Sequence, residues 1–166
     1  MIKVAHIVGS LKIGGAERFV IDLCEVQKNN GKQPIIISLG QPGEPLEQEC
    51  HQLKTPVYSN NDLLIVKLIK VFYQLRTCNI VHIHSPHALK FLSLILPFIK
   101  AKIIYTRHGA APLTDSQWIK LHKKAGQYIS AITFVSQEGL DNFQQTHRWT
   151  NMPSYVIDNG VLIQPI

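Results

Sequence analysis

Acidic side chains are scarce in this sequence: 11 Asp and Glu stand against 17 Lys and Arg, giving a formal net charge of +6 and a pI near 9.3. The imbalance favours anionic partners such as phosphates, nucleotides or acidic membrane surfaces, and by itself selects none of them. Cysteine is scarcer still. Cys24, Cys50 and Cys78 are odd in number and make no C-x-x-C pair, which argues against a disulfide framework or a cysteine-built zinc site and for a reducing compartment. Met1 leads straight into an apolar run, without the basic and apolar regions of a secretory leader. No apolar run approaches the roughly 20 residues that cross a bilayer. The most apolar helical stretch, residues 88–99, is interrupted by Lys90 and Pro97. The expectation is a cytoplasmic protein that meets a membrane, if at all, peripherally at its inner face.

Several chemical patterns are missing as well. Gly9, Gly14 and Gly15 do not form G-x-G-x-x-G, and no acidic residue closes the second apolar run to hold a ribose, so dinucleotide binding loses support. Gly9-x-x-x-x-Gly14 has half of a P-loop spacing, but Gly15-Ala16 replaces the Lys and the Ser or Thr that phosphate and magnesium need. The Tyr-x-x-x-Lys pair of a nucleotide-sugar epimerase or dehydrogenase is absent, and no carboxylate pair is placed for acid–base work. No cofactor is expected.

What is present is one rhythm. Hydrophobic residues make up 45% of the 166 positions and charged ones 17%, which suits a single domain with helices packed on both sides of a sheet. Apolar strand-like runs at 2–8, 33–39, 56–58, 79–84, 102–106, 131–135 and 155–157 alternate with helical patterns. Asn29-Asn30-Gly31 ends the first helix, and Asn60-Asn61-Asp62 is expected to cap the helix over 63–76. In that helix Leu64, Ile65, Leu68, Val71, Phe72 and Leu75 form one apolar stripe, expected to serve the core first, with Lys67, Lys70 and Arg76 off it. Repeated βαβ units predict a Rossmann-like, doubly wound, mostly parallel α/β sheet.

Ligands of such folds gather beyond the carboxyl ends of the strands. The loops expected there are 9–15, 85–87, 107–113, 136–137 and 159–160. Gly14 and Gly15 fall where the first loop becomes a helix, so backbone N–H groups at the positive end of the helix dipole are open to an anion; a tight turn alone would also use these glycines. Lys12 and Arg18 flank that loop, and Arg107 lies across the cleft. His82, His84 and His87 invite a metal reading, but no carboxylate accompanies them, so no metal is expected and His84 and His87, with Ser85, are assigned to the cleft. His108 is placed to enter the cleft because Gly109 lets its loop turn, and Ser136 closes the sixth strand. His6, His51, His122 and His147 are read as structural.

Gly14-Gly15-Ala16-Glu17-Arg18, Ile80-Val81-His82-Ile83-His84-Ser85, Tyr105-Thr106-Arg107-His108-Gly109, Phe134-Val135-Ser136 and Val156-Ile157-Asp158-Asn159-Gly160-Val161 occur in this order at the ends of the strand-like runs. Together they resemble the N-terminal half of family 4 retaining glycosyltransferases of the GT-B fold. The resemblance implies transfer of a sugar from a nucleotide-sugar donor to a sugar, lipid or other small-molecule acceptor, with retention of configuration and without a required metal or nucleic acid. It gives Gly14 and Gly15 the donor diphosphate and His108 a catalytic contact with the donor sugar. It also implies residues 1–158 as the acceptor-side domain and 159–166 as the start of a linker to a donor-binding domain, without which the chain should be inactive. The competing expectation is a stand-alone, non-catalytic module that binds a phosphorylated ligand or a partner protein.

Overall fold

The computed structural model describes residues 1–160. Seven parallel strands form one sheet: β1 (Lys3–Val8), β2 (Gln33–Ser38), β3 (Val57–Tyr58), β4 (Ile80–Ile83), β5 (Lys102–Arg107), β6 (Ala131–Phe134) and β7 (Ser154–Val156). Their order is β3-β2-β1-β4-β5-β6-β7, so the chain winds outward in one direction from β1 and then in the other from β4. The helices between them are α1 (Gly15–Asn29), α2 (Pro45–Gln52), α3 (Leu64–Leu75), α4 (Pro86–Leu92), α5 (Ser116–Ala125) and α6 (Gln137–His147).

The three consecutive isoleucines of β2 show how the sheet separates two cores, since side chains alternate along a strand. Ile35 and Ile37 join Ala5, Ile7, Val81, Ile83, Tyr105 and Phe134 in a core shared with α3 to α6. Ile36 and Val8 point the other way, into a smaller core with Val20, Ile21 and Cys24 of α1 and Leu46 and Cys50 of α2. All three cysteines are free and buried, and burial pushes the Cys24 thiol up to about 12. Gly31, with φ +70°, turns the chain out of α1 in the left-handed region that glycine adopts without strain.

Two details of α3 differ from expectation. The residue flanking its first turn is Leu63, which offers no side-chain cap; Asn60 Oδ1 instead accepts from the Asp62 backbone N–H, closing a turn one step upstream. The apolar stripe is also divided. Val71 and Leu75 are buried and Leu68 and Phe72 half-buried, but Leu64 is 71% and Ile65 70% exposed. Between them and the buried end of the helix, Lys67 turns its ammonium inward and donates to the carbonyls of Leu39 at 2.8 Å and Asn60 at 3.0 Å. Three donors on one flexible stem can satisfy carbonyls that an aliphatic side chain would leave unpaired. The first turn of α3 is thereby seated on polar contacts, and its aliphatics face outward.

Candidate functional site

Where β1 ends, Gly9 opens a loop that returns through Gly14 into α1. Gly14 is extended (φ −163°), and no side chain caps the helix there. Beside it, β4 delivers His84 and Ser85, and β5 delivers Arg107, His108 and Gly109. Gly9, His84, Ser85, Arg107, His108 and Gly109, with Val8, Ala16 and Glu17, line a cavity of about 220 Å³ at the carboxyl ends of β1, β4 and β5, while Gly14 and Gly15, expected at the donor phosphate, stand beside it outside the lining. A larger cavity of about 550 Å³, between Arg76, Phe98 and Lys100, sits at the amino ends of β4 and β5 and gathers no reactive side chains.

Under α1 the sheet carries imidazoles in place of aliphatics. His6 of β1 is the register partner of His82 of β4, and one pleat further along stands His84. His6 Nδ1 lies 2.9 Å from His84 Nε2, and His84 Nδ1 lies 3.1 Å from His108 Nε2. At the inner end, His6 Nε2 lies 2.9 Å from Gln27 Oε1 of α1. His82 leaves this line and meets the Thr106 hydroxyl at 2.6 Å, which in turn meets Thr133 at 2.6 Å. Phe19 of α1 closes the group, its ring 5.3 Å edge-on from that of His108. Burial disfavours the charged form of each ring and lowers the pKa of His6 and of His108 to about 4, with His82 and His84 also well below the usual value. All four are neutral at pH 7.

The ring nitrogens of His6, His82 and His84 approach within 4.8 Å of one another, close enough to consider a metal. Both nitrogens of His6 and both of His84 are, however, already engaged in hydrogen bonds, and no carboxylate stands behind them. A metal would have to break that chain to enter.

The other expected residues divide. Ser85 lines the cavity while its hydroxyl accepts from the Ala88 N–H at 3.0 Å and caps α4. Ser136 does the same for α6, accepting from Gly139 at 3.1 Å, outside the cavity lining. Arg107 lines the cavity but is 6% exposed, and its guanidinium donates to the carbonyls of Gly109 and Ala111 at 3.3 and 2.8 Å, bracing the loop that carries His108. Arg18 turns to Glu49 of α2, and Lys12 is exposed on the loop outside the lining. His87 packs edge-on against Trp118, 5.2 Å away, and is not brought to the cavity. Asn159 and Gly160 are exposed, and Val161 and the rest of the expected linker lie outside the described residues. Glu17, which its sequence position gives only a helix-start role, rests its carboxylate against Gly14, where any side chain on that residue would collide with it. His6 and Gln27 were missed. The usable signal for His6 was that it lies mid-strand in β1, as His82 does in β4; for Gln27 there was none.

Comparison with known proteins adds the following. The described fold resembles that of Anabaena HepE solved with UDP-glucose, with a TM-score of 0.78, 19% identity, and coverage of 97% of this chain and 44% of that one. It resembles Acinetobacter baumannii MurG with a TM-score of 0.65 and 12% identity over 99% of this chain and 47% of that one. An α-glucosyltransferase solved with UDP and a 13-mer DNA gives a TM-score of 0.64 and 12% identity over 96% and 42% of the two chains. The chain thus spans a little under half the length of these solved structures. No curated protein matches its sequence. The sequence profile of Glycosyltransferase Family 4 matches residues 13–164, and with the parallel sheet and the cleft at its carboxyl edge, this chain belongs to that family.

Proposed function

We propose that residues 1–158 form the acceptor-side half of a retaining glycosyltransferase, which moves a sugar from a nucleotide-sugar donor to an acceptor, and that residues 159–166 lead to a donor-binding half. The observation that carries this reading is the meeting, across one cavity, of the uncapped amino end of α1 with His108 and its buried histidine support. Backbone N–H groups of a helix end attract a diphosphate and stabilise the charge that grows on it as the sugar leaves. Gly14 and Gly15 allow the close approach this needs. His108 is neutral and hydrogen-bonds to the donor sugar without adding a charge that would oppose an oxocarbenium-like centre. The coverage of 44% of the HepE chain supports a second half that completes the cleft. No metal and no nucleic acid enter this reading.

The acceptor is met at an anionic membrane surface on the cytoplasmic side. Supporting this, Leu63, Leu64, Ile65 and Ile69 of the α3 region are all more than half exposed, beside the exposed Arg76 and the Lys70–Asp62 ion pair, on a chain of net charge +6. Among the described residues no helix is long and apolar enough to cross a membrane.

The test is turnover of UDP-glucose and other nucleotide sugars by the 166-residue chain alone and by the chain joined to a donor-binding half. The expected result is no transfer alone and transfer with retained anomeric configuration when joined. Binding of a phosphorylated ligand without transfer in either form would favour a stand-alone binding module.

A further inference from the structure

Three buried rings in series pose a question of direction. A neutral imidazole carries one N–H and one bare nitrogen, so a chain of ring-to-ring hydrogen bonds must run the same way throughout. Gln27 presents Oε1, an acceptor, to His6 Nε2. His6 must therefore donate from Nε2 and accept at Nδ1. His84 then donates from Nε2 to His6 and accepts at Nδ1, and His108 donates from Nε2 to His84. The only nitrogen left over is His108 Nδ1, which is buried beside the cavity and has no partner among the described residues.

We infer that Gln27, acting through His6 and His84, is a positioning residue that locks His108 in the Nε2–H tautomer and holds its Nδ1 as a bare hydrogen-bond acceptor. The reverse arrangement would set the His6 Nε2 lone pair against that of Gln27 Oε1, so it requires the amide to turn over. The line is a lock and not a proton conduit: a proton entering at His108 would reach a carboxamide that cannot take it. Its chemical consequence, which rests on the proposed function, is selectivity for a hydrogen-bond donor at His108, that is, a sugar hydroxyl. A phosphate oxygen or a carboxylate would face a lone pair with its own. A buried acceptor without a partner costs about 1–3 kcal/mol, so the arrangement favours a ligand that supplies the missing donor.

The inference is tested by 15N NMR of the histidine rings in the labelled chain at pH 7.5, a measurement that needs neither donor nor turnover. In the unaltered chain His6, His84 and His108 should each show a protonated Nε2 and a bare Nδ1. Gln27→Lys replaces the acceptor by a donor of similar length and should reverse all three, leaving His108 with a protonated Nδ1. Gln27→Met removes the polar group and should leave His108 in comparable populations of both tautomers. A protonated Nδ1 on His108 in the unaltered chain would overturn the lock. An unchanged His108 signal in the folded Gln27→Lys chain would overturn it as well, as would displacement of these ring protons by added Zn2+ at stoichiometric concentration. Failure of nucleotide-sugar turnover would leave the NMR result standing, so the two readings fall separately.

Discussion

The space under α1 and the outer face of α3 break the same rule in opposite senses. Under α1, His6 and His82 occupy strand positions that a parallel sheet ordinarily gives to Val, Ile or Leu, and His84 and His108 extend the row just past the ends of β4 and β5. On α3, five aliphatic or aromatic side chains, Leu63, Leu64, Ile65, Ile69 and Tyr73, stand more than half exposed. The polar interior is satisfied: every ring of the His6–His84–His108 line has a partner, and one lone pair remains beside the cleft. Among the described residues, nothing covers the apolar exterior. An interior exception that is internally paired reads as machinery held in place, whereas an exterior exception without a partner reads as a surface that awaits one.

Acid should break the comparison most strongly, because it acts on the interior alone. His6, His108, His122 and His147 have folded pKa values lowered to about 4, against about 6.5 unfolded. The folded chain therefore binds fewer protons between these values. The stability these rings contribute is complete above pH 6.5 and is lost as the pH falls through 6 toward 4, by up to about 3 kcal/mol for each of His6, His108 and His122 and by less for the more exposed His147, where solvent screens the charge. Thermal melting should drop by more than about 10 °C from pH 7.5 to pH 5. A flat profile across that range would mean that the rings are not buried neutral.

His108→Ala, in the chain joined to a donor-binding half as proposed, should lower turnover by about 100-fold or more, since a positioned donor or acceptor at a developing charge is worth about 3 kcal/mol. Its melting temperature should stay within a few degrees. Equal turnover would remove the ring from the chemistry and leave the imidazole row purely structural. Lys67→Met addresses the exterior. Removing the ammonium that serves the Leu39 and Asn60 carbonyls should cost about 1–3 kcal/mol in denaturant unfolding. A neutral or stabilising effect would show that α3 could have buried its aliphatics after all.

The smallest effect on the fold should come from Leu64→Ser with Ile65→Ser. Stability should change by less than about 0.5 kcal/mol, as for other exposed positions. The affinity for phosphatidylglycerol vesicles in co-sedimentation should nonetheless fall by about 100-fold or more, because two side chains that each gain about 1.5–3 kcal/mol on burial are lost. Unchanged vesicle binding would leave the exposed face of α3 unexplained.

Periodicity carried the fold well. Strand alternation in Ile35-Ile36-Ile37, the glycine stop at Gly31 and the run of βαβ units are local features, and each sits where its pattern places it. The candidate site was legible only at the strand ends: Gly9, Ser85, His84 and His108 do meet. What could not be read was pairing across long separations. The His6–His82 register spans 76 positions, and the His6–Gln27 contact depends on how α1 lies over β1. The division of the α3 stripe was hidden for a similar reason, because a hydrophobic pattern counts Lys67 as polar and cannot see that carbonyls at the end of β2 wait to receive it. Charge was misleading in its own way. Arg18 looks like a cleft cation in sequence, and in the structure it holds α2; Arg107 does line the cavity, but its guanidinium is spent on bracing a loop.

The carboxylate of Glu17 resting against Gly14 gives the amino end of α1 a resident anion. Any phosphate arriving there trades places with it, so its net affinity is the difference between two anions at one helix end and not the whole attraction of the dipole. Under the proposed function, the same exchange run backwards would ease the departure of a nucleotide diphosphate, with Glu17 taking its place at the helix end. Glu17→Gln should therefore tighten the hold on a spent nucleotide and slow its release.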